Sequence, residues 1–225
     1  MIAAWPSPDG GPGHGGEYAL AFDRARAHRL LILPALFDEA NKTRHLIAET
    51  MRRLDGAGID SFLPDLPGCN ESLAPLEQQT LGGWPEAAGI AAAHFAATHV
   101  LTVRAGAILA PPALPGWRYA PIGGTNALRA LLRARTIAAR EAGRGETAEA
   151  LLELGRTEGL ELAGYRLGAA MIRDLEAATL PDGGPLRDIE QKTLGGGGLW
   201  LRAEPDFDRA QADALAAVIA MGLRS

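Results

Sequence analysis

The stretch of sequence that decides the fold is Thr98-His99-Val100-Leu101-Thr102-Val103-Arg104-Ala105-Gly106-Ala107-Ile108-Leu109-Ala110. Its first half is an apolar run rich in β-branched residues, and this run ends at Arg104. Small residues with helical character follow at once. The pattern predicts a buried strand, a sharp turn at Arg104 and a helix packed closely against the sheet.

Apolar runs upstream of this stretch alternate with helical patterns. Residues 30–33 form a continuous apolar run, as in a strand buried on both faces of a parallel sheet. We predict an early strand near an edge at 17–22, a further strand at 61–64, and helices covering 46–54 and 87–95. This alternation of strands and helices predicts a mostly parallel, twisted sheet with right-handed crossovers and helices on both faces.

The alternation continues downstream. We predict a strand at 117–122, helices at 126–141 and 147–154, a strand at 160–163, a helix ending near 175 and a last strand at 199–201. A closing helix follows, and Asp208 with Gln211 three residues later forms a capping box at its start.

Length and composition indicate one domain. A chain of 225 residues is ample for one sizeable core and short for two, so we assign residues 17–225 to a single α/β domain. Residues 1–16 are rich in glycine and proline, and we interpret them as a flexible lead-in in which His14 is a solvated loop residue.

Charge and cysteine content exclude several classes of protein. The net charge of −5 argues against nucleic-acid binding, and no run approaches the ~20 apolar residues of a membrane span. The single cysteine, Cys69, excludes an internal disulfide and fits the cytoplasm. No His, Cys or Asp cluster has metal-ligand spacing, and no glycine-rich stretch has nucleotide-binding spacing, so we predict neither a metal nor a cofactor.

A polar loop directly follows the apolar run at 30–33. It contains Phe37, Glu39, Asn41 and Lys42. Ligands of open α/β sheets bind at the carboxyl ends of the strands, so this loop and Arg104 are the first candidates for a binding site.

Several motifs carry a family resemblance: Pro34 with Glu39, Asn41 and Lys42; the run 63–68; Arg104 to Ala107; the helix 131–135; Ala163 to Tyr165; and Trp200 with Glu204. Together and in this order they resemble the α/β-hydrolase superfamily, and more narrowly the second type of hydrolase found beside exosortase A systems. The resemblance implies a hydrolase topology with a small or absent lid. It also implies a cytoplasmic protein from a gene neighbourhood devoted to exopolysaccharide production and protein sorting.

The chain departs from the superfamily pattern where the chemistry would be. In the G-x-S-x-G elbow Thr102 takes the place of the first glycine and Arg104 the place of the nucleophilic serine, while Gly106 is retained. No histidine follows His99, and the chain is short between residues 185 and 199, where the resemblance implies the acid and the histidine. A Ser-His-Asp triad in the usual order cannot be assembled, so the sequence leaves enzymatic activity open.

Arg104 has two interpretations. In one, the guanidinium binds a small anionic ligand, together with Lys42, Asn41, Phe37 and the backbone N–H groups near Ala105. In the other, Arg104 is an internal counter-ion of Glu39, Asp38 or Glu204. The first interpretation predicts a catalytically degenerate protein that binds an acidic ligand or a pathway protein, with an oligomeric state that the sequence does not determine.

An enzyme with a displaced nucleophile is the alternative. Cys69 and Ser72 follow the strand predicted at 61–64, and His45 is the nearest candidate base. Such an enzyme would be a hydrolase or acyltransferase acting on an ester.

Arg135 lies on the apolar stripe of the helix predicted at 126–141. We therefore expect it to point inward and to pair with Asp65 or Glu71. Arg129, Arg133 and Arg140 fall on another stripe, which we interpret as a solvated face.

Overall fold

The structure is a computed structural model that describes residues 1–6, 8 and 16–224. In this part of the chain the strands are Ile2–Trp5 (β1), Glu17–Phe22 (β2), Arg29–Leu33 (β3), Asp60–Pro64 (β4), His99–Val103 (β5), Gly116–Tyr119 (β6), Leu160–Leu162 (β7), Tyr165–Leu167 (β8) and Leu186–Ile189 (β9). The α-helices are Asp38–Gly56 (α1), Gly83–His94 (α2), Gly124–Glu141 (α3), Ala148–Glu158 (α4), Ala169–Ala177 (α5), Gln191–Leu194 (α6) and Arg209–Gly222 (α7). Short 3-10 helices lie at Leu76–Gln78, Arg104–Leu109 and Leu199–Leu201.

A seven-stranded sheet forms the centre, in the order β1-β2-β4-β3-β5-β6-β9. From β4 to β9 neighbouring strands are parallel, while β1 and β2 add antiparallel pairings at one edge. The mostly parallel sheet predicted from the sequence is confirmed. Residues 30–33 of β3 are fully buried because both faces of the sheet are covered.

Two cores lie on opposite faces of the sheet. On one face α1 packs against α7, and their apolar residues meet those of β3 and β6. On the other face α2, α3 and α5 cover the sheet through a second cluster that includes Trp84 and Phe62. The predicted cap of the closing helix is confirmed, since the Asp208 carboxylate accepts from the N–H groups of Ala210 and Gln211.

The start of the chain differs from the flexible lead-in that the sequence predicted for residues 1–16. Ile2–Trp5 is a strand that pairs with β2, and Trp5 is only 2% exposed. Its indole N–H donates to the Tyr18 carbonyl at 3.1 Å, which fastens this strand to the sheet edge. The prediction for His14 lies outside the described residues.

Two predicted strands of the second half are also corrected. Leu199–Leu201 is a 3-10 helix, so β9 is the outermost strand on that side of the sheet. The strand predicted at 160–163 forms a small hairpin, β7–β8, that is separate from the central sheet. Helices α3, α4 and α5 surround this hairpin and form one compact segment between β6 and β9. No helix of the described residues has the length and apolar character needed to span a membrane.

Candidate functional site

Arg104 lies at the sharp turn between β5 and the 3-10 helix Arg104–Leu109. Its φ of +54° is in the left-handed region, which non-glycine residues rarely occupy. The turn passes so close to the end of β3 that a Cβ on Gly106 would lie 2.2 Å from the Pro34 carbonyl oxygen. The turn is confirmed, but the helix after it is short, so the helix dipole available to an anion is small.

The Arg104 guanidinium is held by three partners. Its Nε and Nη2 donate to the two carboxylate oxygens of Glu39 at 3.0 and 3.1 Å, and its Nη1 donates to the Ala120 carbonyl at 2.9 Å. The Trp200 ring covers its face, with Cζ 4.1 Å from the ring centroid. The Arg104 and Glu39 side chains are 13% and 15% exposed, respectively. Arg104 and Glu39 therefore form a largely buried, bidentate ion pair.

The other acids proposed as partners of Arg104 lie elsewhere. Asp38 pairs with Lys42 at 2.7 Å, so this lysine does not face the guanidinium as a second free cation. Glu204 is exposed and forms no ion pair with any described residue. The interpretation of Glu204 as a structural ion-pair partner is wrong, because the short helix at 199–201 carries it into solvent.

The loop that follows β3 is packed into the protein. Phe37 has a φ of +55° and lies between the rings of Trp84 and Tyr165, with centroid distances of 5.8 and 5.7 Å. The Asn41 amide donates to the Tyr165 hydroxyl at 2.9 Å. Two predicted ligand-binding residues thus contact the hairpin β7–β8. Ala105 is fully buried beside them.

Tyr119 lies beside Trp200, the ring that covers Arg104. The Tyr119 hydroxyl donates to the Gln191 side chain, and its ring meets Trp200 edge-on at 5.8 Å. Burial is the main reason that the pKa of Tyr119 is raised, so the phenol stays neutral and donates at physiological pH. In the sequence Trp200 stood out only as one of the residues that carry the resemblance. Its stacking on Arg104 depends on the tertiary structure, which hydrophobic periodicity does not reveal.

The candidate displaced nucleophiles, Cys69 and Ser72, lie in different surroundings. Burial raises the pKa of the Cys69 thiol to about 12, and the cavity beside it holds about 30 Å³, which is room for one water. The Ser72 hydroxyl donates to Glu17 at 2.9 Å and accepts from the Gly68 N–H. His45 stacks on Phe207 at 4.3 Å, and no described histidine hydrogen-bonds to either candidate.

Arg135 has a different partner from the one the sequence predicted. Its guanidinium donates to both carboxylate oxygens of Glu146, at 2.6 and 2.9 Å, and its side chain is 32% exposed. Asp65 instead pairs with Arg44 and accepts from the Asn70 amide, while Glu71 is exposed and has no ion pair among the described residues. Arg135 lies at the edge of the apolar stripe, where the loop before α4 reaches it.

A groove opens next to the buried ion pair. It lies between the start of α1 and the outer face of α3 and has a volume of about 590 Å³. Its walls include Leu36, Phe37, Asp38, Glu39, Lys42, Asn126, Arg129, Leu131, Arg133, Ile137, Trp200 and Leu201. Of the predicted site residues in the loop after β3, Phe37, Glu39 and Lys42 line this groove from one side and Asn41 does not, while Arg104 is enclosed behind it.

Two arginines of α3 give the groove its charge. Arg133 forms no hydrogen bond or ion pair through its guanidinium with any described residue, and Arg129 has only a 3.3 Å contact to the Asn126 amide oxygen. Both are exposed, as the solvated face predicted from the sequence requires. Their spacing of four residues was the available signal, because it places both head groups on the same side of the helix. No group of three or more His, Cys, Asp or Glu side chains in the described part of the chain is arranged to hold a metal ion.

Comparison with known proteins identifies the fold. Neither a family model nor a curated protein sequence matches the chain. Among solved structures, alpha/beta hydrolase domain-containing protein 10 from mouse is similar over 100% of this chain and 98% of its own, with 13% identity and a TM-score of 0.63. Est1E from Butyrivibrio proteoclasticus with bound ferulic acid is similar over 99% of this chain and 98% of its own, with 13% identity and a TM-score of 0.56. DcsB in complex with its substrate analogue matches 100% of this chain and 99% of its own, with 11% identity and a TM-score of 0.53. The fold of this chain is therefore that of the α/β-hydrolases.

Proposed function

We propose that this chain is a catalytically inactive protein with an α/β-hydrolase fold that binds a small acidic ligand in the groove between α1 and α3. The observation that carries the proposal is the closed Arg104–Glu39 pair at the nucleophile position. A guanidinium stays protonated at neutral pH and is neither a nucleophile nor a base. Because the two head groups bind each other, Arg104 has a structural role at the elbow.

Ligand binding is assigned to the groove because two of its cations, Arg129 and Arg133, have no carboxylate partner among the described residues. Arg104 is enclosed and its charge is neutralised by Glu39. We therefore assign the proposed anion contact to Arg129 and Arg133 instead of Arg104. Guanidinium groups hold carboxylates and phosphates through paired hydrogen bonds. Lys42 lines the same groove from α1 and adds a further polar group, while Asn41 is bonded to Tyr165 and does not line it.

Labelling with activity probes tests the absence of catalysis. Incubation with a fluorophosphonate and, separately, with an iodoacetamide should leave the folded protein unmodified, because Ser72 is bonded to Glu17 and the Cys69 thiol is protonated. Stoichiometric labelling of Ser72 or Cys69, identified by mass spectrometry and blocked by denaturation, would establish the displaced-nucleophile enzyme instead.

Restoring the elbow serine gives a second test. The Arg104→Ser variant should not hydrolyse p-nitrophenyl acetate above the rate of wild type, because no described histidine reaches the elbow to act as the base. A variant that turns over the ester at a rate dependent on one of the histidines would contradict the proposal.

The proposed setting is the cytoplasm of a bacterium that assembles exopolysaccharide beside an exosortase system. This part rests on the resemblance carried by Glu39, Asn41, Lys42 and Arg104. Deletion of the gene should change exopolysaccharide output or the processing of sorted proteins, and the groove variant Arg133→Gln should reproduce the change. Normal exopolysaccharide and sorting in the deletion strain would remove this pathway from the proposal.

A further inference from the structure

We infer that the ligand of the groove is an amphipathic anion, with one carboxylate or phosphate head and an apolar chain of about ten carbons or a ring system of similar size. The inference rests on the proposed function and adds the class of ligand. It is drawn from the way charged and apolar surfaces are arranged within one concave site.

The charged part of the site is limited to two head groups. Asp38 and Glu39 also line the groove, but Lys42 neutralises the first at 2.7 Å and Arg104 the second at 3.0 Å. Arg129 and Arg133 are left as the cations without a carboxylate partner, one helical turn apart. Like charges at this spacing repel each other, and a single anion between them relieves the repulsion.

The apolar part of the site exposes side chains that a folded protein ordinarily covers. Ile137, one turn beyond Arg133 on α3, is 50% exposed, and Leu201 on the facing wall is 79% exposed. The indole of Trp200 and the buried side chains of Leu36 and Leu131 continue this surface toward the floor of the groove. An apolar chain lying here covers the exposed side chains of Ile137 and Leu201, and removing such surface from water is the main source of affinity for such ligands.

The size and shape of the site distinguish between an amphipathic anion, a small inorganic anion and a membrane surface. A volume of about 590 Å³ is within the range of sites for organic ligands and far exceeds that of an inorganic anion or acetate. Arg129, Arg133 and Ile137 lie on the α3 wall of a cleft, and Leu201 lies on the facing wall. A surface that docks on a membrane presents such groups on one open face. This arrangement favours a single amphiphile over a lipid bilayer.

Calorimetric titration of the full chain with four probes, none with more than ten carbons, tests the inference. Decanoate below its micellar concentration should bind at least about tenfold more tightly than acetate or the uncharged decanol. Decyl phosphate should bind as well as decanoate does, because the guanidinium pair accepts either head. Thermal melting with the same probes should show the same ranking, since a ligand of the folded state raises the melting temperature.

Matched variants locate the two halves of the ligand. Arg133→Gln should weaken decanoate about tenfold, and Ile137→Asn should weaken decanoate while leaving any acetate response unchanged. Arg140→Gln is the control, because Arg140 is exposed on the same helix and does not line the groove. The unliganded melting temperature of each variant reports whether it folds.

The remaining outcomes overturn the inference in distinguishable ways. If acetate or phosphate binds as tightly as decanoate and Ile137→Asn has no effect, the ligand is a small acid, and only the proposed function stands. If no anion changes the melting curve, the proposed function fails with the inference. A third outcome is that the protein sediments with vesicles of anionic lipid, that this depends on Arg133, and that monomeric decanoate does not bind. This outcome would identify a membrane surface as the occupant.

Discussion

Arg104 occupies a left-handed backbone position, with a φ of +54°, that costs a residue with a side chain of order 1 kcal/mol or more. Three contacts of the guanidinium offset this cost. Glu39 pairs with its charge, the Ala120 carbonyl accepts from one terminal nitrogen, and the Trp200 ring covers its face. The turn thus keeps a residue in the left-handed region, and the Arg104 side chain is part of the surrounding packing.

Removing the arginine should expose the dependence of Glu39 on it. We expect Arg104→Ala to lower the free energy of unfolding by about 2–3 kcal/mol, because it leaves a largely buried carboxylate without its partner. Urea denaturation measures the change, and the double variant with Glu39→Ala should recover part of the loss. Lys192→Ala is the control: it breaks the exposed pair with Glu190 and should cost no more than about 0.5 kcal/mol.

Arg135 should contribute much less to the free energy of unfolding than its position on the apolar stripe of the predicted helix indicates. With Arg135 and Glu146 32% and 22% exposed, we expect Arg135→Ala to cost at most about 1 kcal/mol in urea denaturation. A loss of 3 kcal/mol or more would mean that this arginine is buried with its partner, as the helical pattern alone predicted.

At the scale of elements, the close approach of the elbow to β3 fixes the geometry of the site. A Cβ on Gly106 would lie 2.2 Å from the Pro34 carbonyl oxygen, so Gly106→Ala must push the turn away from the strand. We expect a loss of about 3 kcal/mol in thermal or urea unfolding. Gly89→Ala is the matched control, because Gly89 lies within α2 with no atom within 4 Å of a new Cβ. That change should stabilise the protein by up to about 1 kcal/mol, and an equal loss for both variants would refute the crowding argument.

The elements predicted from the sequence are those whose residues carry an unambiguous burial signal. Strand β3 is apolar on both faces, and Asp208 with Gln211 marks the start of α7. The first strand was missed because Ile2–Trp5 precedes a glycine- and proline-rich stretch and exposes most of its side chains at the sheet edge. Leu199–Leu201 has the composition of a strand, but three apolar residues also fit one turn of 3-10 helix packed on α1.

The candidate site was predictable where it depends on topology. Parallel strands bring their carboxyl ends to one edge of the sheet, which is why Glu39 and Arg104, 65 positions apart, were expected to meet. The groove was not predictable, because it requires the position of α3 relative to α1. The sequence places Arg129 and Arg133 on a solvated face, and only the position of the opposite wall shows that they line a groove.

At the scale of the whole molecule, one network of charged groups lies at the amino edge of the sheet. Asp60 is fully buried there and accepts from the backbone N–H groups of Arg24 and Arg26 and from the side chain of Arg29. Arg29 also binds Asp23 through two hydrogen bonds, at 2.9 and 3.0 Å. These pairs join β3 and β4 to the loop before them, and their contribution to stability depends on the carboxylates being ionised.

Two histidines lie near the same edge. The rings of His28 and His99 are 6.2 Å apart, and His99 also stacks on Trp117. Burial, and then the proximity of His28, lowers the pKa of His99. The folded state therefore disfavours the second positive charge that acid would place there.

These groups predict a loss of stability toward acid in two steps. Because the folded pKa of His99 is below its ordinary value of 6.5, the unfolded chain binds its proton first, and stability falls as the pH drops below 6.5. Arg29 lowers the pKa of Asp23 from 3.8 to about 2, so the stabilisation present above 3.8 is lost as the pH falls toward 2. Asp23 is 40% exposed, and screening limits its share to about 1 kcal/mol.

Urea denaturation at pH 7, 5, 3.5 and 2 resolves the two steps. His99→Gln should reduce the difference in unfolding free energy between pH 7 and pH 5, and should leave the fall below pH 3.8 unchanged. Asp23→Asn should lower stability at pH 7 and reduce the later fall without abolishing it, because the pKa values of Glu49, Asp55 and Glu176 are also lowered by their arginine partners. Equal stability of the wild type at pH 7 and pH 5, or an unchanged first step in the His99→Gln variant, would show that the histidine pair does not disfavour protonation in the folded state.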